Sequence, residues 1–308
     1  MVNLVAAQKP LLHGLMKLAG LTPQNVEIEE GTAMNFWVPS PKSKKNNKHK
    51  GNVVLIHGFA AEGIVTWQFQ VGSLTKKFSV YVPDLLFFGG SVTSSSDRSP
   101  SFQAHCLAKA LNKLGAQKCA LVGFSYGGMV AFKMAELYPE MVSHLVISGS
   151  ILAMTDTISG ETMARLGFSS STELLLPTNV KGLKALLSVA THKNLWFPNC
   201  LYRDYLKVMF TNREQRAELL DALIESNKDT TIPNFTQKIH LLWGEKDQIF
   251  NLEVAKNMRE ELGKKATFEG IKKAGHLVHL ERPCVYNRLL NRFLDTSFPQ
   301  NNDHHHQH

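Results

Sequence analysis

Long apolar runs, paired cysteines and metal-ligand spacings are all missing from this chain of 308 residues, and each absence removes a class of protein. No stretch approaches the roughly 20 apolar residues that a membrane-spanning helix needs. Cys106, Cys119, Cys200 and Cys284 lie far apart, with no CxxC pair and no His/Cys spacing suited to zinc. They read as reduced, mostly buried thiols rather than a disulfide framework. The N-terminus, MVNLVAAQKPLLHGLMKLAG, lacks a basic segment followed by a long apolar stretch and a small-residue cleavage site, so a cytoplasmic location is expected. Acidic residues are outnumbered 26 to 34 by Lys and Arg, a net charge of +8, yet the basic residues are scattered apart from KSKKNNKHK at 42–50. That cluster is expected to be a solvated loop, so no nucleic-acid partner is implied.

What the chain does have is apolar content, 44%, enough to bury a full core. Residues 1–25 should form an N-terminal helix, in which Leu11 to Leu18 is amphipathic. Packing of this helix on the body is the expectation, with weak contact on a membrane surface as the alternative. VEIEEG and TAMNFWVP, around Gly31, suggest an antiparallel hairpin. Short runs rich in Val, Ile and Leu then follow: NVVLIHG (52–58), FSVYVPD (78–84), CALVGFS (119–125), HLVISGS (144–150) and KIHLLWGEKD (238–247). Continuous apolar runs, rather than strict alternation, are what strands covered on both faces look like. Between them, 102–115, 127–139 and 252–263 carry helical periodicity and end at Gly or Pro. The alternation predicts an α/β fold with a doubly wound, mostly parallel sheet, its core divided into 26–150 and 233–298. Between these parts, 151–232 shows helical patterns and no convincing strand, which predicts an inserted helical cap; 299–308 is too polar to fold.

GFSYG at 123–127 has the form G-x-S-x-G and lies where an apolar strand ends and a helix begins. A serine in such a sharp turn is held above the sheet in a strained conformation, and the flanking glycines avoid collisions with strand and helix. Ser125 is therefore the candidate nucleophile. Serine is weak near neutral pH, so a base must take its proton, and that base needs a partner to set its tautomer. Among 13 histidines, His276 follows the strand-like run ATFEGI and precedes a helix starting near Arg282 and Pro283. His279 is its rival, preferred as a packing or capping residue. For the acid, Asp247 in WGEKDQIF sits farther past its strand than Glu245 and is preferred.

With Ser125, Asp247 and His276 in that order along the chain, the sequence resembles the α/β-hydrolase superfamily from about residue 26 to 296. HGF (57–59) resembles the family's oxyanion loop. PDLLFFGGS (83–91) resembles its P-D-L-x-G-x-G-x-S segment, with Phe87 and Phe88 replacing polar or small residues. GEKD and GHLVHLERP match in place and order. The resemblance implies that the backbone N–H groups of Phe59 and Tyr126 form an oxyanion hole, where two preorganised donors lower a barrier by about 3 kcal/mol each. It is similar to plant esterase or lipase-like hydrolases, monoacylglycerol lipases and hydrolases of ring-fission products. Epoxide hydrolases and haloalkane dehalogenases place Asp where Ser125 stands, which makes those activities unexpected. The implied chemistry is hydrolysis of a carboxylic ester of an apolar small molecule or lipid, with no metal or organic cofactor required. Phe59, Phe87, Phe88, Tyr126 and Phe250, with Trp196 and Phe197 of the cap, are expected to line an apolar substrate pocket. Alternatives are a ligand-sensing receptor of the same fold, or a carbon–carbon hydrolase or hydroxynitrile lyase. His57 is expected to bond within its own loop, and Asp84 to support a turn.

Overall fold

Residues 1–46, 49–226, 228 and 231–298 are described by a computed structural model of the chain. The predicted tail at 299–308 and residues 47–48 of the basic segment lie outside the described residues. Helix α1 (Leu4–Leu18) is capped by Asn3, whose side chain accepts from the Ala6 N–H. Strands β1 (Leu21–Glu29) and β2 (Thr32–Pro39) pair as the expected antiparallel hairpin. The first strand starts at Leu21, ahead of the boundary drawn at residue 26, because Pro23 lies on an edge strand that needs no N–H there. Helix α2 (Pro41–Asn46) replaces the start of the expected basic loop. Strand β3 (Asn52–Ile56) is followed by α3 (Gly63–Trp67), α4 (Val71–Leu74), β4 (Ser79–Pro83) and the short β5 (Val92–Thr93). Next come α5 (Pro100–Lys113), β6 (Cys119–Phe124), α6 (Tyr126–Leu137) and β7 (Val142–Ser148).

The cap holds five helices and, among the described residues, no strand: α7 (Asp156–Leu166), α8 (Ser171–Leu175), α9 (Val180–Ala190), α10 (Asn199–Met209) and α11 (Arg213–Ser226). The chain then returns to the core through β8 (Lys238–Gly244), α12 (Leu252–Leu262), β9 (Ala266–Ile271), α13 (Val278–Glu281) and α14 (Pro283–Ser297). The strands form one nine-stranded sheet in the order β1-β2-β4-β3-β6-β7-β8-β9, with β5 on β2. Neighbours from β4 to β9 are parallel, and the antiparallel pairings are those of β2 with β1, β4 and β5. The doubly wound, mostly parallel sheet is thus confirmed, and the physical reason is plain in β6, where all six residues are buried between two helical layers. One apolar layer joins α5, α6, α12 and the cap to the sheet; the other packs α1, α3, α4 and α14 on its opposite face.

Helix α1 docks as expected, with Met16 buried and the Leu4 N–H bonded to the Asp204 carboxylate of α10, while Leu11 and Leu18 stay exposed. No helix among the described residues is long and apolar enough to cross a membrane. Cys106 and Cys119 are buried, but Cys284 is exposed and Cys200 half-buried, so the thiols are less uniformly internal than the sequence suggested.

Candidate active site

The turn between β6 and α6 carries Ser125 at φ 54° and ψ −120°, a conformation that side-chain-bearing residues rarely adopt. The structure around it explains the neighbouring glycines. A Cβ on Gly127 would lie 2.3 Å from the Ile56 carbonyl oxygen, and one on Gly123 would lie 2.7 Å from that of Gly127. The strand and helix can be this close only because no side chain separates them. Tyr126 is the first residue of α6, so its N–H has no acceptor within the helix.

His276 and Asp247 come from the loops after β9 and β8 and meet beyond the carboxyl ends of the strands. The His276 Nδ1 is 2.9 Å from Asp247 Oδ2, and both residues are buried. The other carboxylate oxygen accepts the N–H groups of Ile249 and Phe250, each at 2.9 Å, so the carboxylate is held from both sides. Glu245, the rival acid, instead lies against Gly270. His276 and Ser125 line the same cavities. Among the described residues the Ser125 hydroxyl makes no hydrogen bond, while the Ser125 carbonyl accepts from the Ser150 hydroxyl.

Two apolar cavities meet at Ser125. One, of about 50 Å³, runs toward α7, α8 and α11 and is walled by Met154, Met163, Leu174, Leu220, Leu223 and Phe250. The other, of about 90 Å³, runs toward α9 and α13 past Leu183, Leu186 and Leu187. Phe59, Ser125, Ile249 and His276 belong to both. Among the described residues, no lysine or arginine lines either one.

Four of the residues expected in the pocket line neither of the two cavities at Ser125. Phe88 is fully buried, with its ring edge-on to Phe59 and His57 and near Tyr126, so it supports the two residues implied as donors and lines neither cavity at Ser125. Phe87 adopts φ 75°, the left-handed conformation that suits glycine. Its carbonyl accepts from Asn212 and Arg216 of the cap, and the Arg98 guanidinium covers its ring at 4.4 Å. Arg216 is itself buried, its pKa pushed down to about 10 by burial, and its guanidinium lies 4.3 Å from the Phe88 ring centre. Trp196 is 80% exposed and Phe197 40%, on the loop before α10, and neither lines the cavities at Ser125. Aromatic character reported apolar surface correctly but not which way the cap would turn it.

Other residues in the site were not identified from the sequence. Gly149 (φ 54°) lies so close to the imidazole that a Cβ there would be 2.8 Å from the His276 ring. Glu281 accepts the N–H groups of Gly275, His192 and Lys193, tying the histidine loop to the cap. Tyr205 of α10 donates its hydroxyl to the Ala60 carbonyl, next to Phe59. The signals were present as a glycine after β7 and an acid six residues past Gly275, but neither pattern names its spatial partner. His57 behaves as expected: Nδ1 donates to the Gly58 carbonyl and Nε2 accepts the Leu85 N–H, with burial lowering its pKa. Asp84 accepts from Gly63, Gly90 and Asn35, which fixes the turn.

His279 packs, as expected, between Phe124 and Trp67, but both its ring nitrogens lack hydrogen-bond partners among the described residues. Burial, and the nearby His276, hold its pKa at about 3 against the ordinary 6.5. Between those two pH values the unfolded chain binds a proton that the folded chain refuses, so stability falls on acidification by up to about 1.4 kcal/mol per pH unit. His279→Leu should remove that proton from the acid limb of urea unfolding measured from pH 7 to pH 4. It should also raise stability at neutral pH by about 1–3 kcal/mol by removing buried unpaired groups. An unchanged pH slope would refute the assignment.

The comparisons with known proteins match this architecture. The alpha/beta hydrolase fold family matches residues 51–283. Monoacylglycerol lipase ABHD6 of Bos taurus is 26% identical over 258 residues, 80% of this chain and 76% of that protein. A 2-hydroxy-6-oxononadienedioate/2-hydroxy-6-oxononatrienedioate hydrolase of Pseudomonas sp is 26% identical over 214 residues, covering 66% and 71%. Among solved structures, a membrane phospholipase A described as a bacterial virulence factor superposes with a TM-score of 0.78 at 23% identity, over 96% of this chain and 91% of that one. The family match covers well over half of the sequence and contains the serine, the aspartate and the histidine, and the chain belongs to the alpha/beta hydrolase fold family.

Proposed function

We propose that this hydrolase cleaves a carboxylic ester of an apolar small molecule or lipid through an acyl-enzyme. The observation that carries the reading is the strained Ser125 on an apolar cavity that it shares with His276, itself bonded to Asp247. Ser125 Oγ attacks the ester carbonyl carbon while His276 Nε2 takes its proton, and Asp247 stabilises the imidazolium. The backbone N–H groups of Phe59 and Tyr126 receive the negative charge that develops on the carbonyl oxygen. The histidine then gives its proton to the departing alkoxide, and water repeats the sequence on the acyl-enzyme to release the acid.

The lining of the cavities separates this reading from its neighbours. The Pseudomonas relative acts, by its name, on dicarboxylates, whereas among the described residues no lysine or arginine lines either cavity here to meet a carboxylate. A hydrocarbon-bearing ester makes no such demand. The direct test is labelling with a fluorophosphonate followed by peptide mapping. Modification should fall on Ser125 and disappear in Ser125→Ala; persistent labelling of that variant would overturn the proposal.

Gly149→Ala gives a second test. The new methyl group would press on the His276 ring at 2.8 Å, and alanine at φ 54° is itself strained. A displacement of about 1 Å should cut kcat/KM for 4-nitrophenyl butyrate roughly 100-fold while the protein stays folded. Unaltered kinetics with an intact circular dichroism spectrum would show that the histidine's position does not matter.

A further inference from the structure

We propose that the surface groove between α1, α9 and α10 binds a long unbranched hydrocarbon chain of the ester, running outward from Ser125. This rests on the ester-hydrolase reading above. The groove has a volume of about 470 Å³ and opens where Leu195, Trp196 and Phe197 are exposed. Its inner wall is made by Val65, Leu183, Leu187, Tyr205, Leu277 and Leu280, and these same six residues form the outer wall of the 90 Å³ cavity at Ser125. The two spaces are therefore separated by one layer of side chains. Four of them are leucines, whose staggered rotamers can exchange without moving the backbone.

The chemistry of the wall selects the occupant. Four of its polar side chains are already bonded within the protein. Gln68 Nε2 donates to the Val65 carbonyl, Thr191 Oγ1 to the Leu187 carbonyl, and the Tyr205 hydroxyl to the Ala60 carbonyl. The Glu281 carboxylate is taken up by the N–H groups of Gly275, His192 and Lys193. Apart from the side chains of Gln8, Lys193 and Tyr202, what remains for a ligand is the apolar surface of Val5, Leu183, Leu187, Phe197, Leu201 and Leu280. On that apolar surface a charged or strongly hydrated group would lose its water without compensation, whereas methylene groups gain from the transfer. Continuity with the nucleophile supplies the other half of the argument. A chain anchored at Ser125 that outgrows a cavity of about 90 Å³ meets this wall, and behind the wall is the groove.

The experiment compares 4-nitrophenyl acetate, butyrate, octanoate and dodecanoate, together with octyl and dodecyl acetates, on the full chain. In whichever series places the chain in the groove, kcat/KM should rise beyond butyrate by about fourfold per methylene until the groove is filled. Leu201→Glu puts a carboxylate on the groove in the first turn of α10, where the helix tolerates negative charge. It should lower the dodecanoate-to-acetate ratio of kcat/KM by about tenfold or more. Val5→Glu, in the first turn of α1 on the opposite wall, should do the same and replaces Leu201→Glu if that variant does not fold. Binding of 1-decanol, which carries a chain but no scissile ester, is followed by isothermal titration in parallel. Acetate turnover with no rise in either series overturns the groove and leaves the ester-hydrolase reading standing. Failure to turn over any ester, with decanol binding that the variants weaken, sinks the hydrolase reading and keeps the chain site. Equal decanol binding by wild type and both variants overturns the proposal.

Discussion

Replacing Ser125 with alanine should reduce kcat for a short apolar ester by about 10⁶-fold, leaving only what the backbone donors and substrate binding contribute. The expected size follows from the role of the group. Without the hydroxyl no acyl-enzyme forms, and water held at the elbow is neither as close nor as well oriented. The substitution removes one oxygen and leaves the φ 54° turn, the Ser150 hydrogen bond to the residue's carbonyl and the packing against Gly58 in place. Unfolding by heat should therefore change little, which separates lost chemistry from lost fold. Because Ser125 and His276 act in one step, Ser125→Ala combined with His276→Ala should be no slower than the serine variant alone. Turnover by Ser125→Ala within about 100-fold of wild type would remove the serine from the mechanism, since loss of a nucleophile leaves far less.

Asp247→Asn should lower kcat by about 10⁴-fold with little loss of stability, because it reverses the histidine tautomer. In the native protein one carboxylate oxygen accepts from Ile249 and Phe250, leaving the other to accept the Nδ1 proton of His276. An asparagine in the same place keeps its single carbonyl oxygen against the two backbone N–H groups and must turn its amide N–H toward the imidazole. The imidazole then accepts at Nδ1 and carries its proton on Nε2, the nitrogen that has to receive the serine proton. Measured kcat on 4-nitrophenyl butyrate decides the point. Glu245→Gln provides the contrast and should have a far smaller effect, as Glu245 packs on Gly270 rather than on the histidine. A larger loss from Glu245→Gln than from Asp247→Asn would exchange the two acids.

The strands of the parallel sheet were legible because burial on both faces leaves a local mark, an uninterrupted apolar run such as CALVGF. The elbow was legible for a similar reason: backbone strain and close strand–helix contact demand glycines at fixed offsets from Ser125. His276 and Asp247 could be chosen because each follows a recognisable strand. Gly149 could not, since the atom it makes room for is supplied by a residue more than a hundred positions away in the chain. Helix α2 was missed because six residues carry little periodicity of their own.

The aromatic residues mark the limit most clearly. Phe87, Phe88, Trp196 and Phe197 are apolar wherever they sit, and the sequence alone established only that they need apolar surroundings or pay for exposure to water. Which of them meets a substrate depended on how the inserted helices lie over the strand ends, through contacts such as Arg216 to the Phe87 carbonyl and Tyr205 to the Ala60 carbonyl. By itself the sequence determined the fold class, the nucleophile's setting and the candidate acid and base, because each has a local steric or hydrogen-bonding requirement. The tertiary structure decided the shape and lining of the cavities, because walls assembled from distant segments follow no spacing rule along the chain.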